Sequence, residues 1–190
     1  MSSLQKLDEQ QVERFVADLD ALLAPGAPLG VAVSGGPDSL ALLLLSAAAR
    51  PGQLAAATVD HALRPESADE ARQVAAVCDR LGVPHSTLRV DWPEAPASNL
   101  QDRAREARYA ELARWARREG LCAIATGHHA DDQAETLLMR LARGSGVGGL
   151  RGIQRSRPLG DGMLLIRPLL GWRRAELAEI VAAAGVRQID

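Results

Sequence analysis

Residues 31–45 read VAVSGGPDSLALLLL. An alternating apolar run, two glycines, a proline, an acid and a row of leucines follow one another without a break. The pattern predicts a buried strand ending at Ser34, a tight turn over Gly35 and Gly36, and a core helix opening at Pro37. Gly35 and Gly36 can take positive φ and let a ligand come close to the backbone. Pro37 suits the first helical position, where its missing N–H has no partner anyway. The amides that follow then point into the turn, so Ser34 to Ser39 form an anion site suited to a phosphate chain. A plain strand-to-helix turn with Asp38 on the helix dipole would need neither Gly-Gly-Pro nor two flanking hydroxyls.

The rest of the chain alternates in the same way. Leu7, Val12, Phe15, Val16, Leu19, Leu22 and Leu23 recur at helical spacing before Pro25 and Gly26 stop the helix. The strand Leu29 to Ser34 and a helix from Pro37 to Ala49 are followed by a strand from Leu54 to Asp60. A capping box, Ser67 to Glu70, opens the next helix, which Gly82 ends. Strand His85 to Val90, a helix opened by a second capping box at Ser98 to Gln101 and ended by Gly120, and strand Leu121 to Thr126 come next. A helix over Asp131 to Arg143, a glycine-rich GSGVGGL, a strand from Gly162 to Arg167 and a helix from Trp172 to Ala184 complete the pattern. Helical crossovers between strands imply a three-layer α/β/α domain around a parallel five-stranded sheet, filling residues 1–190 as one unit. In such sheets ligands bind at the carboxyl ends of the strands where their order reverses. The turns in contention are SGGPDS, DHALR and GHHADDQAET, and all three are polar.

Composition narrows the chemistry. The 190 residues are 47% hydrophobic, enough for one substantial core. No secretory leader pattern is present, and the apolar run of residues 40–45 is far short of the roughly 20 residues a membrane span needs. The expectation is a cytoplasmic protein with no membrane partner. Cys78 and Cys122 form neither a disulfide framework nor a CxxC pair. The net charge of −2 hides an asymmetry, with 7 basic and 13 acidic residues over 1–99 but 15 and 11 over 100–190. The basic half could meet phosphate, or could be an arginine-rich solvated surface. Among the 22 basic residues the one lysine is Lys6. A Walker-type phosphate loop and a Schiff-base enzyme both require a lysine, so both are excluded unless Lys6 reaches the site.

Asp38 beside a polyphosphate would repel it unless a cation lies between them. Magnesium meets that need with one or two carboxylates plus phosphate oxygens, and Asp131, Asp132 and Glu135 can supply the second carboxylate. His128 and His129 lack further ligands at zinc spacing, so hydrogen bonding to phosphate or to an acid fits them better. His61 can do the same, whereas His85 reads as structural.

SGGPDS, DHALR, NLQDRAREARY, GHHADDQAET and RGSGVGGL, in this order, resemble the tRNA(Ile)-lysidine synthetase family within the ATP pyrophosphatases that carry an SGGxDS loop. The resemblance spans about residues 29–190 and implies an adenine-nucleotide α-hydrolase-like, Rossmann-like fold. It implies ATP and Mg2+ as cofactors, with ATP phosphates on Ser34, Gly35, Gly36, Pro37, Asp38 and Ser39. Asp60 and His61 would lie near the adenosine, Gly127 and His128 would complete the nucleotide site, and Asp38 and Asp132 would hold the metal. Isoleucine tRNA and free L-lysine are the implied partners, and a homodimer is compatible with the reading. The base oxygen of a wobble cytidine would attack the α-phosphate, and the lysine amine would then displace AMP. Arg105 and Arg108, at i and i+3, could neutralise charge at the α-phosphate. Asp132 and Glu135 could hold either magnesium or the lysine ammonium. Arg143, Ser145 and the glycines to Gly149 resemble the family's flexible loop, and Arg151, Arg155, Arg157, Arg173 and Arg174 could meet tRNA phosphates. The family continues past RQID into a further helical region, so a truncated chain that keeps ATP binding is expected. A tRNA 2-thiolation enzyme with the same loop and a noncatalytic ATP-binding module are the alternatives.

Overall fold

The computed structural model describes residues 7–61, 67–92, 100–142, 152–160 and 162–187. Helix α1 (Glu9–Asp20) starts where the Asp8 carboxylate accepts the Gln10 amide and buries Phe15 and Leu19. Strand β1 (Leu29–Ala32) leads through the glycine turn into α2 (Pro37–Ala49). Every residue of α2 from Ser39 to Ser46 is buried. A helix apolar on all sides has to be covered on all sides, and α2 packs against α1, the sheet and the last helix, α6 (Arg174–Ala183). That accounts for the row of leucines.

Strand β2 (Leu54–Asp60), helix α3 (Ser67–Leu81), strand β3 (His85–Arg89), helix α4 (Leu100–Arg118), strand β4 (Ala123–Ala125) and helix α5 (Ala130–Ala142) follow. Strands β5 (Ser156–Gly160) and β6 (Met163–Ile166) and a 3₁₀ turn at Pro168–Gly171 precede α6. The sheet order is β3-β2-β1-β4-β6-β5. Leu29 is in register with Leu54 on one side and with Ala123 on the other, both parallel. The chain therefore winds outward from β1 to β3, then returns to the far side of β1 at β4. The order reverses between β1 and β4, and the crevice there is the expected ligand position.

One core cluster joins α1, α2, α3 and α6 to one face of the sheet, and a second joins α4 to the other. Gly30 of β1 faces α4, and a Cβ there would lie 2.8 Å from Trp115 Cζ3 and 2.9 Å from Leu121 Cδ1. The missing side chain is the space the buried indole fills. On the opposite side, Arg14 stacks on Trp172 at 4.0 Å and Trp172 Nε1 donates to Asp18 at 3.0 Å. Arg155 donates to the same carboxylate at 2.8 Å, which ties the approach to β5 onto α1.

The expected five-stranded parallel sheet is corrected to a six-stranded mixed one. The strand read over Gly162 to Arg167 is β6, and β5 pairs with it antiparallel at the sheet edge. SRPLG is short and polar, and its Pro158 cannot donate to a ladder, which an edge strand tolerates. The positive φ of Gly160 and Gly162 marks the reversal, and the Asp-Gly pair at 161–162 was the available hairpin signal. Helix α3 begins at Ser67 itself, while Ser98 of the second capping box lies outside the described residues. The glycine-rich loop, with Arg143, Ser145, Gly149 and Arg151, also lies outside them. Among the described residues no helix is long and apolar enough to cross a membrane.

Candidate functional site

The segments following β1 and β4, the end of β2 and the inner face of α4 line a cleft of about 280 Å³. Its polar wall is Ser34, Gly36, Asp38, Ser39, Thr126, Gly127, His128 and Asp132, and its apolar wall is Ala32, Val33, Ala57, Val59 and Leu112, with Arg108 and Tyr109 beside it.

The polar wall is built by the glycine turn. Gly35 takes a φ of 92°, which an L side chain rarely adopts. Gly36, at the residue before α2, has φ −66° and ψ 159° and no side chain to cap the helix. The Leu40 amide makes the first intrahelical bond, to Gly36 O at 3.0 Å, so the Asp38 and Ser39 amides precede the ladder at the positive end of the helix. Ser39 fixes the turn: its hydroxyl accepts the Ser34 amide at 3.1 Å and donates to Gly36 O at 2.9 Å. The Ser34 hydroxyl lies 3.2 Å from it.

The segment after β4 presses directly against this turn. A Cβ on Gly127 would sit 3.0 Å from the Asp38 carbonyl carbon and oxygen and 3.1 Å from Ser39 N. Two residues on, the His129 side chain is buried, and its Nδ1 accepts the Asp131 amide at 3.2 Å. The His129 amide donates to Asp132 Oδ2 at 2.8 Å, so imidazole and carboxylate cap the start of α5 reciprocally. Asp131 points elsewhere, accepting the Arg174 amide at 2.8 Å, and that bond holds its carboxyl below the usual range. His128 sits 3.0 Å from Thr126 Oγ1. Burial, then the nearby Arg167 guanidinium, lowers its pKa to about 4, so it offers the cleft a neutral imidazole at pH 7.

Arginines gather around Tyr109 beside the cleft. Arg157 of β5 lies 4.7 Å and Arg105 of α4 lies 5.3 Å from its ring centroid. The buried Arg167 guanidinium donates to Gln154 O at 2.7 Å, and burial lowers its pKa. Arg108 lines the cleft and reaches His61 Nε2 at 3.4 Å.

Of the residues singled out in the sequence, Ser34, Gly36, Asp38, Ser39, Arg108, Gly127, His128 and Asp132 come together in the cleft. Gly35 and Pro37 shape the turn without lining it. Asp60 and His61 end β2 outside the lining, and desolvation lowers the His61 pKa. Arg105 stacks on Tyr109 instead of entering the cleft, and Glu135 is exposed on α5 outside it. Arg155 is paired with Asp18. The sequence reading missed Val59, Leu112, Tyr109 and Arg167. Tyr109 is the one tyrosine of the chain, four residues after Arg105, and that spacing was the signal available.

The carboxylates suit a magnesium ion that shares phosphate oxygens. Asp38 Oδ1 is buried with no hydrogen-bond partner, and Asp38 Oδ2 and Asp132 Oδ2 lie 3.4 and 3.7 Å from the same nitrogen, His129 Nε2. Among the described residues no cluster of three or more His, Cys, Asp or Glu could hold a metal by protein ligands alone. One or two carboxylates completed by phosphate is the usual magnesium arrangement.

Residues 4–190 match the family model described as PP-loop domain. The tRNA(Ile)-lysidine synthase of Novosphingobium aromaticivorans is 54% identical over 178 residues, covering 93% of this chain and 54% of that protein. That of Zymomonas mobilis is 52% identical over 160 residues, covering 83% of this chain and 48% of that protein. The chain thus spans about half the length of these curated relatives. Among solved structures, the U34-tRNA thiolase NcsA from Methanococcus maripaludis superposes with a TM-score of 0.75 at 18% identity, over 96% of this chain and 67% of that one. NMN synthetase from Francisella tularensis does so at 0.64 and 13% identity, over 94% and 71%. At such identities the two structures share the three-layer α/β/α fold and carry no argument about chemistry.

Proposed function

The chain belongs to the PP-loop domain family, and from that premise we propose that it is the nucleotide-binding part of an enzyme that uses ATP and Mg2+ to attach lysine to an isoleucine tRNA. The carrying observation is the SGGPDS turn: a helix start with free amides, set against Gly127 and facing Asp132 across one cleft. The reaction class is that of the tRNA(Ile)-lysidine synthases to which the chain is similar.

In this reading the triphosphate lies on the Asp38 and Ser39 amides and beside the Ser34 hydroxyl, while the Ser39 hydroxyl holds the turn. The purine takes the apolar wall of Ala57, Val59 and Leu112, with Asp60 and His61 at its margin. Asp38 and Asp132 would hold magnesium, which would supply charge screening for the pyrophosphate. Arg108, inside the cleft, stabilises charge on the α-phosphate, and Arg105 supports it from the Tyr109 stack. His128 donates to phosphate without adding charge. The cytidine oxygen forms a bond to the α-phosphorus as the bond to the β-phosphate oxygen breaks. The lysine amine then attacks the activated base carbon, and AMP leaves with its oxygen. Glu135, three residues after Asp132 on α5 and exposed outside the cleft, would receive the lysine ammonium at the cleft's margin.

The relevant assay is pyrophosphate release by this chain joined to the remainder of a full-length relative, with a CAU-anticodon isoleucine tRNA. Release that requires the tRNA, and lysine incorporation that requires both substrates, is the expected result. A requirement for a sulfur donor would instead point to thiolation, and ATP binding without turnover to a noncatalytic module.

A further inference from the structure

We infer that His129 is a positioning residue that brackets the two carboxylates of the cleft and sets their spacing for a divalent cation. The inference rests on the proposed assignment of Asp38 and Asp132 as the cation's ligands. It concerns a residue that does not line the cleft.

The ring's orientation is determined on one side. A backbone amide can only donate, and the Asp131 amide reaches Nδ1 at 3.2 Å, so Nδ1 is the acceptor and the ring hydrogen is on Nε2. The Asp131 carboxylate, 3.4 Å from Nδ1, is engaged by the Arg174 amide at 2.8 Å. Nε2–H then faces Asp38 Oδ2 at 3.4 Å and Asp132 Oδ2 at 3.7 Å, from two different crossovers. Asp132 Oδ2 is held a second time by the His129 amide at 2.8 Å. Each carboxylate thus turns one oxygen toward His129, and the other Asp38 oxygen is left buried and unpartnered. The ring itself is buried, with a side-chain exposure of 6%. Without this bracket two carboxylates drawn close together repel, and their spacing widens. Outer-sphere groups of this kind typically change metal affinity by about 10- to 100-fold.

Two substitutions separate this role from simple helix capping. His129→Asn keeps an acceptor near the Nδ1 position for the Asp131 amide and removes the donor to Asp38. His129→Gln places a donor near the Nε2 position and weakens the cap. The experiment is calorimetric titration of Mn2+ into the 190-residue chain saturated with a non-hydrolysable ATP analogue, alongside analogue binding without metal and thermal unfolding. The bracket predicts that His129→Asn weakens Mn2+ binding by about 10- to 100-fold with little change in thermal midpoint, and that His129→Gln recovers most of the affinity despite a lower midpoint. Unchanged Mn2+ affinity in His129→Asn, or losses in both variants that follow the midpoint, would overturn it. Failure of the unsubstituted chain to bind Mn2+ with the analogue would overturn the carboxylate assignment itself, and the bracket with it.

Discussion

In the chain joined to the remainder of a full-length relative, the proposed function predicts that replacing Asp38 by asparagine lowers kcat/KM for ATP by about 10²- to 10³-fold, roughly 3–4 kcal/mol of transition-state stabilisation, while the thermal midpoint holds or rises. Both halves follow from one geometry. The Asp38 side chain is mostly covered, yet its Oδ1 has no hydrogen-bond partner, so the folded protein bears the desolvation of that oxygen without an internal return. An amide of the same shape removes the charge that a cation needs and relieves the burial. Steady-state kinetics over a range of Mg2+ concentrations, with a thermal melt of each protein, reads both effects. Equal losses of activity and stability would place Asp38 among the structural acids.

Gly127→Ala gives the other large effect, because its nearest neighbours are backbone atoms. The added carbon would meet the Asp38 carbonyl at 3.0 Å and Ser39 N at 3.1 Å, and neither can rotate away. The segment after β4 must therefore retreat from the first turn of α2. Overpacking of this kind costs about 1–3 kcal/mol. The same retreat separates Asp132 and His129 from Asp38, so metal-dependent ATP binding falls by more than tenfold, beyond what the lost stability accounts for. Denaturant unfolding and analogue titration on one preparation distinguish the two losses. An alanine variant that binds ATP as well as the unsubstituted chain would show that the segments tolerate a wider gap.

The features legible in the sequence are those written locally. Gly-Gly-Pro before a row of leucines specifies a turn, a helix start and a helix covered on every side, and α2 has all three. Strand β2 and helix α2 fall on the expected residues because their glycine and proline boundaries act within a residue or two. Strand β5 was illegible because an edge strand with one partner needs no apolar alternation, and SRPLG shows none. The cleft was legible on its polar side, where the turn sequences carry the chemistry, and much less so where it is made by packing. Tyr109, Leu112 and Val59 enter it through the approach of α4 to the sheet, which no local pattern encodes. Charge spacing on helices was equally insufficient. Asp131 and Asp132 are neighbours in sequence, yet one fastens α6 through the Arg174 amide and the other faces the cleft. Arg105 and Arg108 share a helix face, but the Tyr109 ring holds the first outside the cleft that the second lines.

The central claim is that a lysine-free turn binds a triphosphate through helix amides while carboxylates from two crossovers share its cation. A crystal structure of the chain with a non-hydrolysable ATP analogue and Mg2+ tests it most directly. The account predicts phosphate oxygens within hydrogen-bonding distance of the Asp38 and Ser39 amides, and the cation between Asp38 and Asp132. Phosphates seated elsewhere on the molecule, with the turn at Ser34 to Ser39 untouched, would contradict it.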